Sequence, residues 1–428
     1  MRHRTAARVD VRHLFVVWLL LGVTFATLTA AREPSNHAVD AFVAEVLQRN
    51  PALRASSLGR DAALSDASAA GLWPDPEAAV MLDRVPKHME GEMPMVRYQL
   101  SQMLPWPGKL GLMQSAAERR TNAAQADTKI RTLDLIRDAK RGYWMLLMNK
   151  GLRDVNAAGR GLLDTIASAA VARYGAGSGA HHEVMRAQVE QSAVDVEAID
   201  LDGERVATVA MLNALRDFPA AAVLEDPREP DPDSPLDVPA LARLERVALE
   251  RRPELERMRA MQREEESMAA LARRERYPDL MTSVWYNQML GEPDTAGVML
   301  GVTLPVFNVR RQNRMARAAD LRAGSVSSEV RAMQSMIRFE IADAMRKLVA
   351  ATRTLAFVRD VAAPRANQSF VASLAGFSTG TVDIVGVLEA WRSLQAVERA
   401  RVESVAGRLM AIADVERAIG GSLPEVSP

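Results

Sequence analysis

Apolar and polar residues alternate along two short segments of the chain, 96–104 and 298–304. Alternation with a period of two is typical of β-strands whose two faces differ. A second strand-like stretch precedes each segment, so the pattern predicts two β-hairpins, at about 77–104 and about 279–305. The apolar row on one face of these strands comprises Val96, Tyr98, Leu100, Leu104, Val298, Leu300, Val302 and Leu304.

After each hairpin the apolar spacing changes to three and four residues, which is typical of helices that pack as coiled coils. One such row contains Val330, Met333, Ile337, Ile341, Met345, Leu348 and Leu355. The predicted long helices are 110–173, 181–216, 309–376 and 383–419. At about 1.5 Å per residue the first is about 95 Å long, which is more than a compact domain can hold.

The chain contains two copies of this arrangement. Leu47–Leu53 resembles Leu249–Leu255, and Arg173–Gly177 resembles Gly376–Gly380, each about 200 residues later. A segment rich in proline and acidic residues, which cannot hold a helix, lies between the copies. The predicted organisation is a signal peptide at 1–31, a first structural repeat at 32–216, a linker at 217–239, a second structural repeat at 240–420 and a C-terminal tail at 421–428.

The N-terminus has the pattern of an export signal. Four arginines precede an apolar run over 14–28, and the small residues Thr29, Ala30 and Ala31 follow it. A basic start, an apolar middle and a small-residue end are typical of a secretory signal peptide. The alternative, an uncleaved membrane anchor, needs about 20 apolar residues, which is more than this run provides. We therefore expect the chain to be exported.

Composition argues against several classes of function. Basic and acidic residues both number 54, so no excess of positive charge is available for binding nucleic acid. Cysteine is absent, which excludes disulfides, thiolate metal sites and cysteine nucleophiles. No Ser-His-Asp arrangement stands out in the sequence. The sequence therefore predicts neither an enzyme nor a bound cofactor.

The predicted strands are too few to close a barrel within one chain. Two strands per repeat give four, whereas the smallest membrane barrels need about eight. Three copies would supply twelve strands above a ring of long helices. We therefore predict a mainly α-helical fold with a small β part. Long coiled-coil hairpins would form a tunnel, and four strands per chain would contribute to the twelve-stranded barrel of a homotrimer.

Four segments resemble the TolC-like outer membrane efflux protein family: 102–110 (QMLPWPGKL), 173–188 (RYGAGSGAHHEVMRAQ), 302–308 (VTLPVFN) and 376–394 (GFSTGTVDIVGVLEAWRSL). The resemblance extends over about 38–420 and is most marked toward the heavy-metal efflux branch. It implies an outer-membrane barrel above a periplasmic helical tunnel. It also implies a periplasmic adaptor protein and an inner-membrane transporter as partners. The expected function is an exit duct that passively conducts substrates, for example heavy-metal ions, to the exterior.

The resemblance places the periplasmic entrance at the turns between the long helices. The predicted turn residues are Tyr174, Gly177, Phe377 and Gly380. The glycines of 175–179 lack the spacing of a phosphate-binding loop and follow a helix rather than a strand. They therefore favour a helix–turn–helix tip, where glycine supplies a positive φ.

Residues near these turns are candidates for a gate. By resemblance, Glu183 and Glu389 face the pore near the entrance. Ile384 and Leu388 are expected on the coiled-coil seam that closes it. Some relatives carry an Arg and an Asp that latch the closed tips, and here Val382 and Gly386 occupy those positions. The latch is therefore incomplete in this chain.

Methionines crowd the first hairpin, and thioethers are soft ligands for Cu(I) or Ag(I). Met89, Met93 and Met95 are therefore candidate contacts for a soft metal ion. Methionine also fills gaps in packing, and the 22 methionines of the chain indicate a general enrichment, so both interpretations stay open. The sequence His181-His182-Glu183 lacks the spacing of a zinc motif, which favours a solvated tip.

Two other classes of function compete with the duct. A periplasmic adaptor would carry one coiled-coil hairpin flanked by a glycine-rich β segment, whereas this sequence has two hairpins and no such segment. An exported enzyme on a helical scaffold would need a group of polar residues in a cleft. The duct is therefore the favoured function, with outer-membrane lipid around its barrel and its helices in the periplasm.

Overall fold

The computed structural model describes residues 37–83, 95–230, 239–289, 291–303 and 309–423. Several predictions concern residues outside these ranges. They are the signal peptide, Met89, Met93, Leu304, part of the linker and most of the C-terminal tail.

The first half of the chain holds four helices and two strands. They are α1 (His37–Arg49), α2 (Pro51–Ala70), β1 (Glu77–Asp83), β2 (Met95–Leu104), α3 (Lys109–Gly175) and α4 (His181–Leu215). The second half follows the same order. It holds α5 (Leu241–Arg251), α6 (Pro253–Arg274), β3 (Leu280–Met289), β4 (Thr295–Val302), α7 (Val309–Phe357), α8 (Ala363–Thr379) and α9 (Ile384–Ile419).

The repeated segments 47–53 and 249–255 each contain the first residue of a helix, which is a proline that follows Asn50 or Arg252. Asn50 precedes Pro51, and its side chain accepts hydrogen bonds from the N–H groups of Ala52 and Leu53, at 3.0 and 3.1 Å. Proline suits the first helical position because its missing N–H would have no helical partner there. Pro253 begins α6 in the same way. Asn50 also donates to the carbonyl of Leu215, which ties α2 to the end of α4.

The strands form one antiparallel sheet in the order β1-β2-β3-β4. Leu100 lies opposite Ala78 and Val284, and Val284 lies opposite Val298, so these four residues share a face. The apolar residues of that face are Ala78, Val80, Leu82, Val96, Tyr98, Leu100, Leu104, Leu280, Val284, Tyr286, Ala296, Val298, Leu300 and Val302. The described members of the predicted apolar row thus lie on one side of the sheet.

The helices pack along the length of α3, which contacts α2, α4, α6 and α9. With 67 residues, α3 is about 100 Å long. Three apolar clusters hold the bundle. One joins α5, α6, α7 and α9, a second joins α1, α3 and α4, and a third lies where α3, α4, α8 and α9 approach their turns. No helix in the described ranges is long and apolar enough to cross a membrane.

The helix predicted over 309–376 is interrupted. A single π-helical turn, Val358–Ala362, separates α7 from α8. The N–H of Ala363 donates to the carbonyl of Val358, five residues back, where an α-helix would use the fourth. Pro364 follows directly. Because proline has no N–H and its ring crowds the preceding turn, a widened turn accommodates it.

Candidate functional site

The two long helical hairpins end in tight turns, here named tip 1 (residues 174–180) and tip 2 (residues 376–383). Gly177 in tip 1 has φ of 71° and Gly380 in tip 2 has φ of 79°. Side chains with a Cβ adopt this left-handed conformation reluctantly, which explains both glycines. Tyr174 is exposed beside the ring of His181, with ring centres 5.4 Å apart, whereas Phe377 is fully buried.

Arg173, the last basic residue of α3, connects the two tips. Its Nη1 donates to the backbone carbonyl of Phe377 at 2.6 Å. Its guanidinium carbon lies 4.7 Å from the centre of the Phe377 ring. Its Nη2 donates to the carbonyl of Ser178 in tip 1 at 3.3 Å. One side chain therefore binds both turns. The sequence alone gives no signal for this role of Arg173, because its partner lies 204 residues away.

Ile384 and Leu388 lie in the apolar cluster behind the tips, with exposed fractions of 2 % and 4 %. Asp383 begins α9, and its side chain accepts a hydrogen bond from the N–H of Gly386 at 2.8 Å. Trp391, about two turns further along α9, donates from Nε1 to the carbonyl of Gly159 at 3.1 Å. These contacts hold the start of α9 against α3.

The two acidic candidates occupy different surroundings. Glu183 lies in the first turn of α4, and its Oε2 is buried without a hydrogen-bond partner, close to Gly179. Glu389 is exposed and lines a groove between α4 and α9 together with Glu190 and Arg392. The chain does not bring both acids into this groove.

Arg392 forms the ion pair that crosses the groove. Its Nε donates to Glu190 at 2.9 Å. This hydrogen bond, and to a lesser degree the nearby charge of Glu389, raises the pKa of Arg392 above its ordinary value. The groove wall therefore keeps a fixed positive charge beside Glu389.

Val382 and Gly386, which replace the latching residues of some relatives, fit each other. A Cβ on residue 386 would lie 2.9 Å from a methyl group of Val382, and a Cβ on residue 376 would lie 2.5 Å from the other. Both distances are closer than van der Waals contact. An Asp at 386 would therefore require Val382 to move.

The sheet presents a mixed face opposite its apolar one. Polar residues there are Glu77, Arg97, Gln99, Ser101, Ser283, Asn287 and Thr295. Arg97 donates from Nε to Asn287 at 2.9 Å, across β2 and β3. Met95, the described member of the predicted soft-metal trio, lies on this face opposite Met289 and is buried. This face therefore combines polar side chains with methionines.

The segment 102–110 fastens the sheet to the helices. Lys109 donates to Asp279 at 2.7 Å, and the backbone N–H of Trp106 donates to the same carboxylate oxygen at 2.8 Å. The rings of Trp106 and Tyr277 stack with centres 5.3 Å apart. The motif thus joins β2 of the first half to the start of β3 in the second.

Within the described part of the chain, no group of three or more His, Asp or Glu side chains is placed to hold a metal ion.

The sequence matches the family model described as outer membrane efflux protein over residues 42–216 and 244–421. The chain belongs to the outer membrane efflux protein family. The two matched segments coincide closely with the two halves of the fold. Members of this family are outer-membrane exit ducts of tripartite efflux systems, and this chain is such a duct, located in the outer membrane with its helices in the periplasm.

Solved structures share the fold. A membrane protein from Pseudomonas aeruginosa superposes with a TM-score of 0.80 at 18 % identity, covering 91 % of each chain. The outer membrane protein VceC from Vibrio cholerae gives 0.77 at 18 % identity, covering 90 % of this chain and 97 % of its own. CusC, a transmembrane channel, gives 0.76 at 15 % identity, covering 90 % and 92 %. None of the curated proteins compared matches the sequence.

Proposed function

We propose that three copies of the chain assemble into one duct, with twelve strands in a common barrel and the helical hairpins in a tunnel beneath it. The sheet carries this proposal. Its outer strands, β1 and β4, each have only one neighbour among the described strands. One face of the sheet is apolar and the other mixed. A barrel closed by three copies pairs the free edges and turns the apolar face to outer-membrane lipid.

A second apolar face on α4 supports assembly. One face of this helix packs on α3 through Val184, Val194 and Leu201. A different apolar row recurs at intervals of three, four or seven residues and is 45–71 % exposed in the single chain. It comprises Met185, Val189, Val196, Ile199 and Val206. A helix with two apolar seams needs two neighbours. The second neighbour in this proposal is a helix of another copy.

The duct works without bond chemistry. Its mixed sheet face and helices enclose a water-filled path, while an inner-membrane transporter supplies energy and selects the cargo, heavy-metal ions among the candidates. A periplasmic adaptor contacts the tips and links the duct to that transporter. Threefold symmetry would bring three copies of Glu183 and of Glu389 around one axis. Like charges repel in a narrow throat, where water screens them poorly. We therefore expect these acids to favour the passage of cations.

The test is a charge placed on the second seam of α4. A chain with Ile199→Glu and Val206→Glu should keep its helical circular dichroism but run as a monomer in detergent, because burying unpaired carboxylates between helices is costly. The matched control is Ala193→Glu, on the exposed side of the same helix that carries Arg186 and Glu204, about 120° around the helix axis from Ile199. The control should stay trimeric and conduct ions in planar bilayers. Trimers that persist in the double variant would refute the assembly proposed here.

A further inference from the structure

All six methionines of the four strands lie on the mixed face of the sheet. They are Met81, Met95, Met103, Met281, Met289 and Met299. The opposite face carries no methionine, and its side chains are aliphatic or aromatic except for Gln102, Thr282 and Gln288. The methionines thus lie on the side of the sheet that faces the lumen in the proposed duct. Their location in the lumen rests on that proposed function.

Three of these methionines form a patch where the sheet meets the helices. Met103 and Met281 are direct cross-strand partners. Met281 lies opposite Gly301, and Met299 is two residues from that glycine, so Met281 and Met299 are diagonal neighbours. Directly opposed side chains have Cβ atoms about 5 Å apart, and diagonal ones about 7–8 Å. The Cε of Met281 lies 3.6 Å from the point where a Cβ on Gly301 would sit, so its thioether leans across β4.

Packing does not explain the patch. Among the described elements the sheet makes its close contacts between its own strands, and no helix covers it. Met103, Met281 and Met299 are 38–51 % exposed. Methionine fills gaps in a core, but these three side chains have no opposing layer in the chain.

A buried polar atom in the same patch lacks a partner. Ser283 lies between Ser101 and Met299 across the strands, and it is two residues from Met281. Its exposed fraction is 2 %, and its Oγ makes no hydrogen bond. Buried hydroxyl groups normally have a partner, in the protein or in something bound to it. The patch therefore has the features of a site that receives a ligand.

The charges on this face distinguish its two ends. Arg97 lies opposite Met81 and two residues from Met95, so a guanidinium opposes cations at the end bearing Met95 and Met289. The other end, with Met103, Met281 and Met299, has no basic residue among its strand positions. Thioethers are soft ligands that select Cu(I) and similar ions over Zn(II) or Mg(II). We propose that Met103, Met281 and Met299 bind a soft monovalent metal ion, Cu(I) or Ag(I), on the inner wall of the duct.

The experiment measures Ag(I) and Zn(II) binding to the purified full-length protein by equilibrium dialysis in a nitrate buffer. The test variant is Met103→Leu, Met281→Leu and Met299→Leu, since leucine conserves volume and removes the sulfur. The control carries Met211→Leu, Met268→Leu and Met336→Leu, three helical methionines of matching exposure, 38–51 %. The wild type and the control should bind Ag(I) equally, and the test variant should bind it at least about tenfold more weakly. The amount of bound Zn(II) should be the same for all three proteins, because thioethers are poor ligands for Zn(II).

A second measurement needs no variant. Peroxide converts methionine to the sulfoxide, and a thioether bound to metal is protected. Ag(I) should slow oxidation of Met103, Met281 and Met299 in the wild type, as read by mass spectrometry, and leave Met211, Met268 and Met336 unchanged. Equal Ag(I) binding in the test variant, or equal protection of both sets, overturns the site. Trimer formation and conductance, measured on the same samples, report separately on the duct.

Discussion

Single residues at the tips differ between the two halves. Arg173 and Tyr174 in the first half correspond to Gly376 and Phe377 in the second. Only one half therefore carries the guanidinium, and it binds the aromatic residue of the other half. The absence of a side chain at Gly376 leaves room for Val382. The two turns are thus complementary partners within one chain.

Leu388, the buried gate residue, should matter more for closure than the two acids. Leu388→Ala removes a side chain that is 4 % exposed, and such truncations cost about 2–5 kcal/mol. Glu389 and Glu183 contribute charge rather than packing at the tips. We therefore expect Leu388→Ala to raise leak conductance in planar bilayers more than Glu389→Gln or Glu183→Gln, which should mainly reduce cation selectivity.

Val371→Ala is the control for this experiment, since Val371 is 57 % exposed on α8. Charge variants that open the channel while Leu388→Ala leaves it closed would show that electrostatics, and not packing, holds the tips together.

Glu254 predicts a pH dependence of stability. Burial alone would raise its pKa, but the hydrogen bonds and charges of Arg252 and Arg417 outweigh burial and lower the pKa from 4.5 to about 2. The unfolded chain therefore takes up a proton at higher pH than the folded one. The resulting stability is complete above pH 4.5 and is lost as pH falls toward 2. It amounts to about 3 kcal/mol at most.

The measurement is chemical unfolding followed by circular dichroism between pH 6 and pH 3. Glu254→Gln should lower stability at pH 6 and flatten the decline toward pH 3. Parallel curves for Glu254→Gln and the wild type would mean that other carboxylates cause the acid sensitivity.

At the scale of elements, the two faces of the sheet predict that an Arg substitution affects trimer stability very differently at two adjacent residues. Leu100 lies in the apolar row, whereas Ser101 lies on the mixed face opposite Glu77 and Ser283. Arg on a lipid-facing position near the membrane midplane costs about 2–4 kcal/mol. Leu100→Arg should therefore reduce the yield and thermal stability of trimers in the outer membrane, and Ser101→Arg should be tolerated. Equal damage from both changes would mean that the faces are assigned the wrong way round.

Periodicity predicted the features that depend on neighbouring residues in sequence. The alternation around Leu100 and the spacing of Ile384 and Leu388 report burial directly, so the apolar row and the seam could be inferred. The contact between Arg173 and Phe377 could not, because it depends on how two distant turns meet. The widened turn at Val358–Ala362 was also missed, since the sequence around it keeps a helical apolar pattern and only Pro364 signals a disturbance.

At the scale of the whole molecule, ion pairs join the two halves along the bundle. Lys140 binds Glu416 and Arg141 binds Asp414, at 2.7 and 2.6 Å, and Arg399 pairs with Glu197 nearer the tips. Each pair is partly exposed, so its separate contribution is modest. Because these ion pairs lie at several points along the bundle, they oppose sliding of α9 along α3 and α4. Each pair forms only when the helices keep this one alignment. The proposed assembly of three copies therefore starts from halves that are already aligned.

The π-helical turn between α7 and α8 determines the direction in which the side chains of α8 and tip 2 point around the helix axis. One additional residue in a helix rotates all later side chains by about 100° around its axis. Ile341 and Leu348, before the turn, face the cluster of α5, α6 and α9, whereas Phe370 and Phe377, after it, face the cluster at the tips. Deleting one residue there would leave the helix length almost unchanged, yet it would swing Phe377 away from Arg173. The orientation of tip 2 around the helix axis thus depends on one additional residue in the π-helical turn, which lies about 25–30 Å from the tip.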